Sequence, residues 1–152
     1  MNNWIYQNKD ITCINDMKSF EPKVWGFVYH LTLIDKKTKE EKFYYIGKKN
    51  IYTKRKRNFG KKEKEAIKDK RQKTYEYVIK ESDWKTYISN NAFIKKNKDK
   101  YDIVRRIIRF STNDNDLSYQ EAREIICQDA LESGVYLNDG VSIRRFGRKI
   151  IN

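Results

Sequence analysis

Residues 24–33 alternate with a period of two, and no other stretch of the chain limits the fold as sharply. Trp25, Phe27, Tyr29, Leu31 and Leu33 fall on one face, and Val28, His30 and Thr32 on the other. Aromatic and β-branched residues in that rhythm make a strand. Asp35-Lys36-Lys37-Thr38-Lys39 is a polar turn, and Lys42-Phe43-Tyr44-Tyr45-Ile46-Gly47 is a second strand. A hairpin centred near Lys37 sets Tyr29 opposite Tyr45, and cross-strand partners lie about 5 Å apart on one face.

The rest of the chain adds helices and one more strand. A short helical turn is expected at residues 53–57. A surface helix is expected at residues 61–80, with a weak stripe of Ala66, Ile67, Tyr77 and Val78. Residues 84–91 read as extended or turn, 92–98 as a short helix and 101–110 as a third strand. The last helix is expected at residues 119–133, started by Ser118 and stopped by Gly134, with Ala122, Ile125, Ile126 and Ala130 at helical spacing. The expected fold is a small α+β domain, a three-stranded antiparallel-type sheet flanked by helices. Residues 1–22 form an N-terminal extension, 23–140 the main domain with a basic insert at 48–80, and 141–152 a basic tail.

Charge is where function first shows. The 152 residues carry a net +13, with 36% charged and 38% hydrophobic residues. One modest core and an ionic surface follow. Between Lys48 and Lys73, thirteen Lys or Arg stand against Glu63, Glu65 and Asp69, a net +10 in one segment. Folding needs no such imbalance, whereas a polyanionic partner uses it, and nucleic acid is the commonest polyanion. No basic amphipathic helix with a bulky apolar face marks a membrane surface. No signal peptide or bilayer-length apolar run is present, so a cytoplasmic protein is expected.

Several chemistries are excluded. With His30 as the only histidine, a Ser-His-Asp or Cys-His set has little to draw on. Cys13 and Cys127 lack zinc spacing and read as reduced thiols. No glycine-rich phosphate loop is present.

What remains is a set of tyrosines, an arginine and a glutamate. Phe27-Val28-Tyr29 followed by Tyr45-Ile46-Gly47 resembles the paired signature of the GIY-YIG nucleases. Arg55, eight residues past Gly47, stands where that family carries its catalytic arginine. Glu121 stands where it carries a metal-binding glutamate, and Asn138 where an asparagine often follows. Small phage-encoded, homing-type members are the nearest resemblance, through Tyr45-Ile46-Gly47-Lys48-Lys49, the lysine-rich insert, Glu81-Ser82-Asp83-Trp84-Lys85 with Tyr87, and Tyr119 with Glu121-Ala122. The first signature glycine is replaced by Phe27, and Phe59 stands where several members have a histidine or tyrosine. The resemblance spans residues 25–138. It implies an endonuclease that hydrolyses phosphodiester bonds in double-stranded DNA with Mg²⁺ (or Mn²⁺), in the cytoplasm of a bacterial host if phage-encoded.

The chemistry suits those residues. Glu121 can hold one hard cation, with water and phosphate completing the shell. Arg55 can take phosphate bidentately, and a tyrosine, Tyr29 or Tyr45, can accept a proton. Gly47 and Asn138 would shape the site. Lys48, Lys49, Lys54, Lys56, Arg57, Lys61, Lys62, Arg144, Arg145 and Arg148 are expected to contact nucleic acid. Blander roles compete: sheet aromatics for the tyrosines, a capping box Ser118-x-x-Glu121 for the glutamate, a turn for Asn138. A structure-specific nuclease for branched DNA and a non-catalytic nucleic-acid-binding module remain the rival functions, and a homodimer or helper protein stays open.

Overall fold

The structure is a computed structural model in which residues 2–142 and Gly147 are described. Its elements run β1 (Trp4–Tyr6), β2 (Lys9–Ile11), α1 (Ile14–Lys18), β3 (Gly26–Asp35), β4 (Glu41–Asn50), β5 (Tyr52–Asn58), α2 (Lys61–Glu65), β6 (Tyr75–Glu81), α3 (Ala92–Asn97), β7 (Tyr101–Ser111) and α4 (Asp114–Cys127). They divide into two compact units, one of Met1–Ile51 with Asp83–Asn152, the other of Tyr52–Ser82. Tail residues Arg144, Arg145 and Arg148 lie outside the described residues.

The larger unit is the expected α+β fold, but its sheet has five strands rather than three, in the order β2-β1-β7-β3-β4. The two additional strands come from the N-terminal stretch. Gln7 and Asn8 take positive φ of 48° and 65°, so a two-residue turn joins β1 to β2. β1 then pairs parallel to β7, setting Trp4 against Arg105. Three-residue strands are too short to show a period, which is why they were not legible in the sequence.

β3 pairs antiparallel with both β4 and β7 and is buried along most of its length. Its register with β4 sets Tyr29 opposite Gly47 and Leu31 opposite Tyr45. The hairpin is thus centred at Thr38, one residue beyond the expected centre. Such a slip moves every partner by two and leaves faces unchanged, so the Tyr29 and Tyr45 rings are still neighbours, 6.3 Å apart.

One sheet face meets α4, where Val28, Ile46, Leu117, Ile125 and Ala130 close a small core. The other carries Phe27, Tyr29, Leu31 and Leu33 and is joined by Trp4, whose indole N–H donates to the Trp84 carbonyl at 2.7 Å. Buried Arg105 lies beneath it. Its guanidinium stands 4.6 Å from the Trp4 ring centre and donates to the carbonyls of Asn2, Lys85 and Tyr87. Burial pulls its pKa down to about 10, so it stays charged at neutral pH.

α4 starts earlier than expected. Asn113, not Ser118, is the N-cap, its side chain accepting from the Asp116 backbone N–H, and Asp114 and Asp116 sit in the first turn. The helix ends at Cys127 instead of Ser133, and Asp129 at a φ of 50° follows in the turn beyond it.

The smaller unit departs furthest from expectation. Residues 53–57 are strand, and the expected 61–80 helix is reduced to α2 followed by β6. β5 and β6 pair along seven residues, from Tyr52 opposite Glu81 to Asn58 opposite Tyr75. Isolated two-stranded ribbons are marginal, and cross-strand pairs support this one. Arg57 donates to both Glu63 oxygens at 3.1 Å and to Glu76 at 2.6 Å.

Arg105→Met should destabilise the larger unit by about 2–4 kcal/mol, because three carbonyls lose a donor that a thioether cannot replace. Urea unfolding checks this. A midpoint equal to the parent's would show that Arg105 does not fasten β1 to residues 85–87.

Candidate active site

β4 is an edge strand, and its outward backbone groups decide what collects beside it. The N–H of Tyr44 donates to the Val135 carbonyl at 3.0 Å. Two residues on, the N–H of Ile46 donates to Asn138 Oδ1 at 3.0 Å, and Asn138 Nδ2 returns a bond to the Ile46 carbonyl at 2.8 Å. Two further on, the N–H of Lys48 hydrogen-bonds the Glu121 carboxylate. A chain return, an amide clamp and a carboxylate thus satisfy three successive outward donors along residues 44–48. Asn138 is no mere turn residue: it grips the peptide between Tyr45 and Gly47.

Glu121 arrives from α4. Leu117 and Ile125 stand one turn before and after it, both buried in the sheet-facing core, so the carboxylate lies in the apolar row of its helix. The capping-box reading does not hold, since Ser118 is inside the helix and its Oγ accepts from Lys48 Nζ at 2.7 Å. Burial raises the Glu121 pKa above its ordinary value, while the Lys48 charge and backbone N–H pull it partly back.

The two phenols differ. Tyr29 is 1% exposed, and its hydroxyl lies under Gly47, where any Cβ would overlap the phenol. Burial first, then the neighbouring Tyr87 and Tyr45, push its pKa well above the usual value, and hydrogen bonds with Tyr87 and Ser89 fix the hydroxyl. Tyr45 is half-buried. Its pKa is also raised, first by burial, with Glu121, Tyr87 and Asp139 adding to the rise and Ser89 opposing it. The Glu121 carboxylate is thus one of the charges that act on Tyr45. His30 points to the opposite face, 3.1 Å from the Tyr136 hydroxyl.

The first unit thus brings Tyr29, Tyr45, Gly47, Glu121 and Asn138 together. It also adds Tyr87, Ser89 and Asp139, which sequence reasoning missed. Tyr87 had a cue only as part of the segment that carries the resemblance, and Ser89 and Asp139 had none. Lys48 and Lys49, expected on nucleic acid, are engaged within the protein, Lys48 with Ser118 and Lys49 with Asp83 and 4.0 Å above the Tyr87 ring.

Arg55 belongs to the second unit. It lies on β5 opposite Val78, on the ribbon face it shares with Arg57. Arg57 is committed to two glutamates, whereas Arg55 makes no side-chain hydrogen bond or ion pair among the described residues. Alternation turns Lys54 and Lys56 to the other face, so the four consecutive basic residues are not equivalent. Lys61 and Lys62 are exposed on α2.

No cluster of three His, Cys, Asp or Glu side chains gathers among the described residues. A single carboxylate amid water-accessible polar groups still fits one hard cation whose other ligands are water and phosphate oxygens.

A paired Tyr-bearing hairpin, a glutamate on the helix packed against it and an asparagine clamp define an endonuclease domain of the GIY-YIG class. The family described as "Putative endonuclease segE, GIY-YIG domain" matches residues 4–141, and the chain belongs to it. No curated protein and no solved structure matches the chain. A nuclease of this class acts on DNA. No helix among the described residues is long and apolar enough to cross a membrane.

Gly47→Ala should cost about 1–3 kcal/mol through overpacking against the Tyr29 phenol. Combining it with Tyr29→Leu should be markedly less harmful than the sum of the two single effects, as expected for residues that touch. Additive effects in urea unfolding would refute the close approach.

Proposed function

We propose that this domain hydrolyses phosphodiester bonds of double-stranded DNA with Mg²⁺ or Mn²⁺, as a free-standing, homing-type endonuclease. The observation that carries the reading is Glu121, a carboxylate held in the apolar row of α4 at the edge of β4, where its charge acts on Tyr45. Placing a carboxylate there weakens the fold, and a cation would make use of it.

Glu121 would hold the cation through oxygen, and the cation would supply Lewis-acid polarisation of the scissile phosphate and a more acidic water. Tyr29 or Tyr45 is the proton acceptor on this reading. Burial holds both phenols above their usual pKa, and a cation held at Glu121 would favour the ionised form of the neighbouring Tyr45. Arg55 takes a phosphate of the DNA bidentately, a role supported by its having no hydrogen-bond or ion-pair partner among the described residues. Asn138 and Gly47 hold the Tyr45–Gly47 peptide in place.

Supercoiled plasmid tests the reading. The parent should nick or linearise it with Mg²⁺ and not in chelator, and Glu121→Gln should lose at least about a hundredfold in rate. Arg55→Lys should be severely impaired, because an ammonium cannot form the paired hydrogen bonds. Comparing Tyr29→Phe with Tyr45→Phe assigns the proton acceptor. Salt-sensitive retardation without cleavage would favour a binding module, and cleavage confined to junctions or flaps a structure-specific enzyme.

Glu121 also yields a stability prediction. Its pKa is raised, so from the ordinary value of 4.5 up to its folded value the native protein holds a proton that the unfolded chain has lost. Stability therefore falls as pH rises through that window. Glu121→Gln, which keeps an acceptor for the Lys48 N–H, should match or exceed the parent's Tm in chelator at neutral pH. A purely structural glutamate would give the opposite sign.

A further inference from the structure

Pairing in the β5–β6 ribbon sorts its residues into two unlike faces. Directly opposed residues share a face, so Thr53, Arg55, Arg57, Glu76, Val78 and Lys80 lie together. The other face carries Lys54 opposite Ile79, Lys56 opposite Tyr77, and Tyr75 opposite Asn58. On that second face the cations sit over rings, Lys54 4.7 Å from the centre of Tyr77 and Lys56 4.2 Å from that of Tyr75. Lys73 adds a third ammonium at Tyr75. Tyr77 is 52% exposed and Ile79 is 56% exposed, the latter the highest of any large hydrophobic residue described.

We propose that the Lys54, Lys56, Tyr75, Tyr77 and Ile79 face of the ribbon is a groove-reading surface for duplex DNA, distinct from the face that carries Arg55. The proposal rests on the reading of this chain as a DNA endonuclease and names the surface that gives it sequence preference. Three clustered ammonium groups call for a polyanion. A surface that only tracked phosphates would have no use for an exposed isoleucine beside an exposed tyrosine. Within a duplex, apolar contact is offered by base edges, notably the thymine methyl in the major groove. A two-stranded ribbon fits that groove in B-form DNA, whereas the major groove of A-form RNA is too deep and narrow for side chains to read. Lysine can reach guanine O6 and N7 there, and tyrosine hydroxyls can reach phosphate. The face thus combines charge for affinity with apolar and hydrogen-bonding groups for choice.

The test is selection from a pool of random duplexes by the full chain in chelator, with fluorescence anisotropy on an enriched duplex. The parent should enrich a defined sequence. The double variant Tyr77→Ala/Ile79→Ser should lose that enrichment while keeping the parent's salt slope on bulk duplex, since no cation is removed. Lys54→Ala/Lys56→Ala should weaken binding of all duplexes and lower the salt slope by about 2, one for each phosphate no longer neutralised. All four positions are exposed, and a cooperative circular-dichroism melt confirms that the variants fold. Absence of enrichment by the parent, or enrichment unchanged in the Tyr77/Ile79 variant, overturns the proposal. So does preferential capture of single-stranded DNA or RNA, or self-association in sedimentation that these substitutions abolish. Because no step requires cleavage, the nuclease reading fails separately: a parent that enriches sequence but never cuts with Mg²⁺ leaves this surface standing and removes the enzyme.

Discussion

The larger unit depends on how an exposed strand edge is closed. β4 ends the sheet, and an edge strand with free donors and acceptors invites pairing with another chain. Here the N–H groups of Tyr44, Ile46 and Lys48 meet Val135, Asn138 and Glu121 in turn. Each closing group does something beyond protection. Residues 135–138 return along the edge, Asn138 fixes the peptide between Tyr45 and Gly47, and Glu121 is drawn from α4 to the strand that carries Tyr45. The candidate site is the by-product of satisfying three backbone donors, which gives those acceptors a structural as well as a chemical reason to be there.

The same economy explains Gly47. The hairpin register places Gly47 opposite Tyr29, and the Tyr29 hydroxyl occupies the volume a Cβ would need. The glycine is required for close approach and not for backbone freedom, since no glycine described has positive φ. Tyr29 in turn packs against Trp4, 5.3 Å between ring centres. Trp4 is held by Trp84 and Arg105, so the N-terminal strand supports the phenol pair from behind.

Much of this was legible in the sequence where burial left a period to read. β3, β4 and β7 were, because one or both faces are apolar. That Tyr29, Tyr45, Arg55 and Glu121 share a site was carried by the resemblance and not by any period; Tyr45, Glu121 and Asn138 meet along β4, whereas Arg55 lies in the other unit. The N-terminal hairpin was not legible, because three residues carry no period. The start of α4 was missed because Asn113, Asp114, Asn115 and Asp116 look like a loop, although acids in a first turn complement the helix dipole. The β5–β6 ribbon was hidden for a different reason. Lys54-Arg55-Lys56-Arg57 is charged on both faces, so alternation exists without contrast, and Tyr77 and Val78 passed for a helical stripe.

That hidden alternation has an energetic consequence. Lys54, Lys56 and Lys73 share one small, exposed face, and their repulsion works against a ribbon with little core of its own. Tyr75 and Tyr77 offset part of this by offering ring faces to the ammonium groups, an effect worth about 0.5–1 kcal/mol each at exposed sites. The remaining repulsion is relieved by any polyanion that binds the face. Binding and ribbon order are therefore linked: a ligand that prefers the folded ribbon stabilises it by an amount that grows with the logarithm of its affinity. The opposite face is arranged differently. Glu63 and Glu76 already engage Arg57, so the cations left over on that face are Arg55 and Lys80. One face of the ribbon is built to attract a long anion and the other to leave a single guanidinium uncommitted, a division that a run of four basic residues gains only by becoming a strand.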